Sequence, residues 1–252
     1  MIPLGFGQIT GIDLPGEVRG ILPSTEWKRN YYKRPEQKKW FGGETISLGI
    51  GQGYNNFTML QLASATATLA SGGQKFTPRV VKATQDPLTH AQESVADTAP
   101  VNLGYNPDHI AVVRNGLIGV ATSGTSAQVF AGASYQSAGK TGTAQAVTIG
   151  QKEKYNASKL SEYQRDHALY MAFAPAEQPQ IAVALVVENA GFGAAHAAPI
   201  ARRVFDYWLL GQSPSPEDMA ATQQGQSSRP IGMPRSKQDI LLDGKKSSEG
   251  TR

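Results

Sequence analysis

A lysine, two threonines and a glycine stand in a row at Lys140, Thr141, Gly142 and Thr143, inside the small-residue stretch Ser137-Ala-Gly-Lys-Thr-Gly-Thr-Ala-Gln145. Acyl transfer at a peptide carbonyl needs a nucleophile, a proton acceptor and donors to the developing oxyanion. A strand beside such a site can meet part of that need. The Thr143 N–H can point at the oxyanion, and the Lys140 ammonium and the Thr141 and Thr143 hydroxyls can hold a substrate carboxylate. Gly142 leaves room for substrate to lie against the strand. Three common residues also recur by chance on ordinary surface strands, so the surroundings must decide.

Two other chemistries compete for the same residues. Gly139-Lys140-Thr141 matches the end of a phosphate-binding Gly-x4-Gly-Lys-Thr loop, but the first glycine would fall on Ser134. Such a loop must also feed a helix whose N-terminus holds the phosphates, and Thr143-Ala-Gln-Ala-Val-Thr-Ile149 reads as a strand. Ser137-Ala-Gly-Lys140 formally spells Ser-x-x-Lys, an arrangement in which a helix sets the lysine one turn from a nucleophilic serine. On a strand the two fall on opposite faces, which makes Ser137 a poor nucleophile. No other Ser-x-x-Lys and no Ser-x-Asn occurs in the chain.

The elements around the motif follow from pattern. Thr58-Met-Leu-Gln61 is a capping box ahead of an alanine-rich helix that ends at Ser71-Gly72-Gly73, with Ala63, Ala65, Ala67 and Ala70 suited to close packing. Residues 77–84 read as a strand and 85–104 as a loop. Asn106-Pro107-Asp108 starts a second helix, with Ile110, Val113, Leu117 and Val120 on its apolar face and Gly124 at its end. Strands are predicted over 135–149, 168–174 and 180–188. The short Pro175-to-Pro179 link makes the last two an antiparallel hairpin, since a parallel crossover needs a dozen or more residues. Residues 196–210 read as an amphipathic helix with Ile200, Val204, Tyr207 and Trp208 near one face. Beyond Gly211 the chain is polar and is predicted to be a disordered tail over 211–252. There are no internal repeats.

The totals narrow the class. A 40% hydrophobic content suffices for a core, and the absence of cysteine excludes disulfides and thiolate metal sites. No run of about 18 apolar residues marks a membrane span, and Met1-Ile-Pro-Leu-Gly-Phe-Gly7 lacks the pattern of a secretory signal. Basic and aromatic residues interleave at Trp27-Lys-Arg-Asn-Tyr-Tyr-Lys-Arg34 and Lys38-Lys39-Trp40, a mixture that serves single-stranded nucleic acid or, more ordinarily, a solvated face with inward-packed rings. His167 beside Asp166 reads as a structural histidine at a strand start rather than a general base. His90, His109 and His196 lack metal-ligand spacing. Asp13 reads as a turn residue, and Gly51 and Gly53 as points of close backbone passage.

Five segments occur in one order: Thr10-Gly-Ile-Asp-Leu-Pro-Gly-Glu17, Gly49-Ile-Gly-Gln-Gly53, Gly139-Lys-Thr-Gly-Thr-Ala-Gln145, Arg165-Asp-His167 leading to Ala172-Phe-Ala-Pro175, and Val186-Val-Glu-Asn-Ala-Gly191. Together, over about residues 4–210, they resemble the transpeptidase domain of bacterial class B penicillin-binding proteins, in particular the elongation-type D,D-transpeptidases. The resemblance implies an α+β fold, a helical cluster beside an antiparallel sheet, with the Lys-Thr-Gly strand at the edge facing the site. It implies that Lys140, Thr141, Gly142 and Thr143 bind the D-Ala-D-Ala end of a peptidoglycan stem peptide, or a β-lactam, and that the enzyme uses no cofactor or metal. It also implies a parent protein in the inner membrane with a periplasmic domain and elongation-complex membrane partners, and no nucleic acid. In that family the Ser-x-x-Lys nucleophile and the Ser-x-Asn precede the Thr-Gly-Ile-Asp segment. Residues 1–210 are therefore expected to be an N-terminally incomplete domain that is inactive alone. The alternatives are a non-catalytic peptidoglycan or elongation-complex interaction module, and a self-sufficient serine hydrolase of β-lactamase type.

Overall fold

The computed structural model describes residues 1–146, 160–226, 228–236 and 239. The chain divides into two compact units, Met1–Ile110 and Ala111–Arg252.

In the first unit a turn of 3-10 helix, Ile2–Leu4, precedes α1 (Thr25–Tyr31), α2 (Pro35–Lys38), α3 (Gly42–Gly49) and α4 (Met59–Ala70). Ser24 caps α1 by accepting from the Trp27 amide at 3.0 Å. Lys28 is turned inward. Its Nζ donates to the Lys39 carbonyl at 2.7 Å and to Glu44, and lies over the Phe41, Tyr54 and Trp40 rings. Burial works to raise the Glu44 carboxyl, but hydrogen bonds from Lys28, the Phe41 amide and the Tyr54 hydroxyl outweigh it and hold it below its ordinary value.

The capping box of α4 forms as the sequence dictates, with Thr58 and Gln61 exchanging hydrogen bonds of 3.1 Å. The fully buried Gln61 does more than cap. Its Nε2 also donates to the Gln8 and Arg19 carbonyls at 2.5 and 2.8 Å, pinning the N-terminal segment to the helix. Within that segment Glu17 accepts from the Thr10 amide and hydroxyl and the Gly11 amide, closing the loop on itself. Asp13 accepts from the Val80 and Val81 amides at 2.7 and 2.9 Å, the role of a structural turn residue.

Those two bonds explain a departure from the sequence pattern. The strand expected over 77–84 forms only at its last two residues, because Asp13 takes the Val80 and Val81 amide hydrogens that a strand would give to a ladder. The chain instead makes β1 (Gln74–Lys75), β2 (Ala83–Gln85), β3 (Gln92–Ser94) and β4 (Val101–Asn102). β2 takes the last two residues of the expected strand and forms a hairpin with β3, which lies inside the expected loop, and β1 pairs with β4. The Asp86 side chain accepts from Leu88 and Thr89 to make the hairpin turn.

Helix α5 (Pro107–Thr122) begins at the end of the first unit, with Asn106 accepting from the Asp108 amide at 2.8 Å. Its buried residues are Leu117 and Ala121, while Val113 is exposed, so the inward face is rotated from the Ile110–Val113–Leu117–Val120 stripe. Then come α6 (Ala127–Phe130), β5 (Ala138–Ala144), β6 (His167–Ala174) and β7 (Ile181–Val187). These three strands form an antiparallel sheet in that order, and β6–β7 is the expected hairpin. The last part of the strand expected over 135–149, residues 147–149, lies outside the described residues.

One face of the sheet carries Ala168, Tyr170, Ala172 and Ala174 of β6, with Ile181, Val183, Leu185 and Val187 of β7. α7 (Gly193–His196) and α8 (Ala198–Leu210) pack on this face through Ala197, Ala198, Ala201 and Phe205. The apolar stripe read from the α8 sequence is corrected here. Tyr207 and Trp208 are exposed, and the buried face instead holds Ala201, Phe205 and the ion pair Arg202–Asp206. A paired guanidinium and carboxylate at i, i+4 make that face look polar in the sequence.

The polar tail expected from Gly211 is also corrected over its first part. β8 (Gln212–Ser213), α9 (Pro216–Gln223) and β9 (Arg235–Ser236) follow, with β8 and β9 paired. Arg203 of α8 makes a forked contact to the fully buried Asp218 of α9, Nε–Oδ2 at 2.8 Å and Nη2–Oδ1 at 2.5 Å. Ser215 caps α9 and donates to the Ile231 carbonyl. Most of the remaining tail, residues 240–252, lies outside the described residues.

Candidate active site: the edge strand

β5 lies at one edge of the three-stranded sheet. Lys140 pairs with Met171, Thr141 with Tyr170, Gly142 with Leu169 and Thr143 with Ala168. Strand alternation therefore divides the four residues. Thr141 and Thr143 share the face of Tyr170 and Ala168, on which α7 and α8 pack. Lys140 and Gly142 share the other face with Met171 and Leu169. Lys140 is exposed, and its Nζ donates to the Thr141 carbonyl at 2.8 Å. The ammonium and the two hydroxyls thus flank the strand rather than converge on one face, and a ligand contacting all three must lie along its edge.

The strand is positioned from behind. The Thr141 hydroxyl meets the Thr125 hydroxyl at 2.9 Å. Tyr170, fully buried, bonds the Ser126 hydroxyl at 3.0 Å, and Ser126 in turn donates to the Val120 carbonyl at 3.1 Å. Burial pushes the Tyr170 phenol up to about 12, with the Ser126 hydrogen bond opposing the shift. The glycines make these contacts fit. A Cβ at Gly139 would sit 2.5 Å from the Tyr170 hydroxyl oxygen. A Cβ at Gly193, the first residue of α7, would sit 2.2 Å from the Leu169 carbonyl oxygen and 2.6 Å from that of Gly142. At the Gly142–Leu169 pair both Cβ positions point to the opposite face. Helix α7 therefore meets bare backbone there, which only a glycine can approach so closely.

Thr125, Ser126, Tyr170 and Gly193 were not singled out by the sequence. Ser123-Gly124-Thr125-Ser126 reads only as a helix stop, and nothing local announces that its hydroxyls reach β5 and β6. Ser137 is 2% exposed and among the described residues its hydroxyl has no hydrogen-bond partner, whereas Lys140 is open to solvent, in keeping with their assignment to opposite faces. β5 continues as strand through Ala144, so no helix N-terminus follows Lys140-Thr141 to hold a phosphate. His167 accepts the Asn189 amide hydrogen at Nδ1, 3.0 Å away, which ties it to the turn after β7 as a structural histidine. Among the described residues no serine hydroxyl is hydrogen-bonded to a lysine or a histidine.

Comparison with known proteins agrees with this architecture. Residues 2–206 match the family model described as penicillin binding protein transpeptidase domain. The chain is 43% identical over 216 residues to the peptidoglycan D,D-transpeptidase MrdA of Acinetobacter baumannii, covering 86% of this chain and 31% of that protein. It is 37% identical over 214 residues to the MrdA of Escherichia coli K12, covering 83% and 32%. Its fold is similar to that of Pseudomonas aeruginosa PBP2, solved with WCK 5153, at a TM-score of 0.66 and 37% identity, over 83% of this chain and 42% of that one. It is also similar to Helicobacter pylori PBP2 solved with MreC, at a TM-score of 0.62 and 27% identity, over 83% and 35%. The chain spans about a third of the length of the curated relatives it matches. The mixed helices and antiparallel sheet are thus the penicillin-binding transpeptidase fold, and the chain belongs to the penicillin-binding protein transpeptidase family.

Proposed function

We propose that this chain supplies the substrate-binding strand of an elongation-type peptidoglycan D,D-transpeptidase. Lys140, Thr141, Gly142 and Thr143 hold the carboxylate end of a D-Ala-D-Ala stem peptide, or the carboxylate of a β-lactam, along the edge of β5. The observation that carries this reading is the edge position of β5, with Lys140 exposed on one side and the Thr141 hydroxyl fixed by Thr125 on the other. The serine nucleophile of the reaction lies outside these 252 residues, so the chain alone binds without acylating. In its sequence the sole Ser-x-x-Lys is Ser137 to Lys140, and the structure seals Ser137 inside while Lys140 faces solvent.

The parent protein works at the inner membrane with this domain in the periplasm. A membrane protein of the elongation complex is its partner, by analogy with the Helicobacter pylori PBP2 that was solved with MreC. Among the described residues no helix is long and apolar enough to cross a membrane.

The test is an amide NMR titration of the chain with a stem pentapeptide ending in D-Ala-D-Ala. Shifts confined to β5 and its flanks, and lost in Lys140→Ala with Thr143→Val, are expected. Shifts elsewhere that survive this double substitution would remove the proposal.

A further inference from the structure

Five cations and two open aromatic rings, Tyr31 and Phe41, crowd onto α1, α2 and the turns beside them. Residues 25–41 contain six Lys or Arg against two Glu, a surplus equal to the entire net charge of the chain, +4. Lys28 is withdrawn into its ring-lined pocket with Glu44. The other five, Arg29, Lys33, Arg34, Lys38 and Lys39, are exposed, and among the described residues none of them forms a salt bridge. α1 and α2 pack on each other, so these cations share one local surface.

The aromatic component is built rather than incidental. Tyr31 is 62% exposed, yet its ring is stacked on Trp27 at 5.0 Å and 22°, with Tyr32 set edge-on at 5.1 Å. Trp27 in turn leans on Tyr54, whose hydroxyl donates to Glu44, the carboxylate that holds Lys28. The buried lysine network therefore fixes the platform, and the platform presents one flat ring to solvent. A solvated basic face needs no such ring. A ring ordered at low entropy cost beside unpaired cations suits a partner that alternates stackable rings with negative charge.

We infer that α1 and α2 form a docking face for a peptidoglycan strand, with the Tyr31 ring against a sugar face and Arg29 and Lys33 against stem-peptide carboxylates. This rests on reading the chain as part of a peptidoglycan enzyme. That reading favours the cell-wall polymer over nucleic acid, which shares the ring-and-charge pattern.

The experiment is binding of the 252-residue chain to soluble peptidoglycan fragments several disaccharide-peptide units long, followed by fluorescence anisotropy. Binding is expected to weaken as salt rises, because the contacts are exposed charges. Arg29→Glu with Lys33→Glu is expected to weaken it on the order of tenfold, and Tyr31→Ser by about tenfold through the lost ring contact with the sugar. Lys82→Ala, at an exposed cation outside α1 and α2, should leave it unchanged. Should the first pair fail to fold by circular dichroism, Lys33→Glu with Arg34→Glu carries the same test. Three outcomes overturn the inference: no binding at low salt, binding indifferent to these substitutions, or tighter binding of the wild type to oligo(dT) or to anionic phospholipid vesicles. Binding lost on Lys140→Ala but kept in the charge-reversed pair would also overturn it, while leaving the role proposed for β5 intact.

Discussion

Thr141 and Thr125 meet hydroxyl to hydroxyl at 2.9 Å, so the second residue of the Lys-Thr-Gly run is held by the turn that follows α5. One residue further along that turn, Ser126 does the same for Tyr170, the strand neighbour of Thr141. The edge strand is thereby registered against a helix end by two parallel hydroxyl contacts, one open and one buried.

The two contacts should differ in weight. Thr125→Val removes a partly exposed bond and is expected to cost under about 1 kcal/mol. Ser126→Ala leaves the Tyr170 hydroxyl buried without a partner and is expected to cost about 1–3 kcal/mol. Urea midpoints of the two variants check the order, and an equal loss would show that Ser126 is not the anchor.

Gly193 is the tightest contact between α7 and the sheet. A Cβ there would meet backbone oxygens, which cannot rotate away, so Gly193→Ala is expected to cost about 3 kcal/mol or more. Gly116 on α5 has open space around its Cβ position, and Gly116→Ala is expected to stabilise by up to about 1 kcal/mol. Thermal melts of the pair measure the contrast.

The folded start of the C-terminal segment depends on Arg203 and Asp218. Asp218→Ala strands a guanidinium that is 11% exposed and is expected to cost about 3–5 kcal/mol, with proteolysis opening the chain near residue 215. Arg79→Ala breaks the exposed contact to Asp97 and should change stability by less than about 1 kcal/mol. A proteolysis pattern unchanged in Asp218→Ala would mean that α9 is held by something else.

Stability should fall at both ends of the pH scale. Burial works against the Glu17 and Glu44 carboxylates, but the hydrogen bonds they accept outweigh it and hold both below the ordinary 4.5. Folded carboxyls with lowered values contribute stability above 4.5 that is lost as pH falls through their folded values. Tyr170 is the opposite case, raised by burial from 10 to about 12. The unfolded chain gives up that proton first, so stability declines between 10 and 12. Chemical denaturation across pH, with Glu44→Gln flattening the acid limb and Tyr170→Phe the alkaline one, tests both signs.

What the sequence shows of this fold depends on how local the cause is. The capping box of Thr58 and Gln61 and the β6–β7 hairpin were legible because their determinants lie within a few residues. The strand expected over 77–84 is cut to its last two residues because the Val80 and Val81 amides go to Asp13, 67 residues earlier for Val80. The α8 face was misread because hydropathy weights Tyr207 and Trp208 and discounts a buried Arg202–Asp206 pair. α9 was missed for the same reason, since Asp218 is polar in the sequence and fully buried in the fold. At the edge strand, the run from Lys140 to Thr143 was visible as a motif. Its division between two faces comes from the register of β5 on β6 and was not drawn from the sequence, and the contacts to Thr125 and Ser126 join residues that no period relates.

Covalent labelling of the purified chain with a fluorescent penicillin, read on a denaturing gel, tests most directly whether this chain carries the substrate strand without the nucleophile. No labelled band is expected from a sample whose circular dichroism shows folded sheet. A labelled band would contradict the account, because a competent nucleophile would then lie within these 252 residues. Its loss on Ser137→Ala would identify the serine that the structure places out of reach.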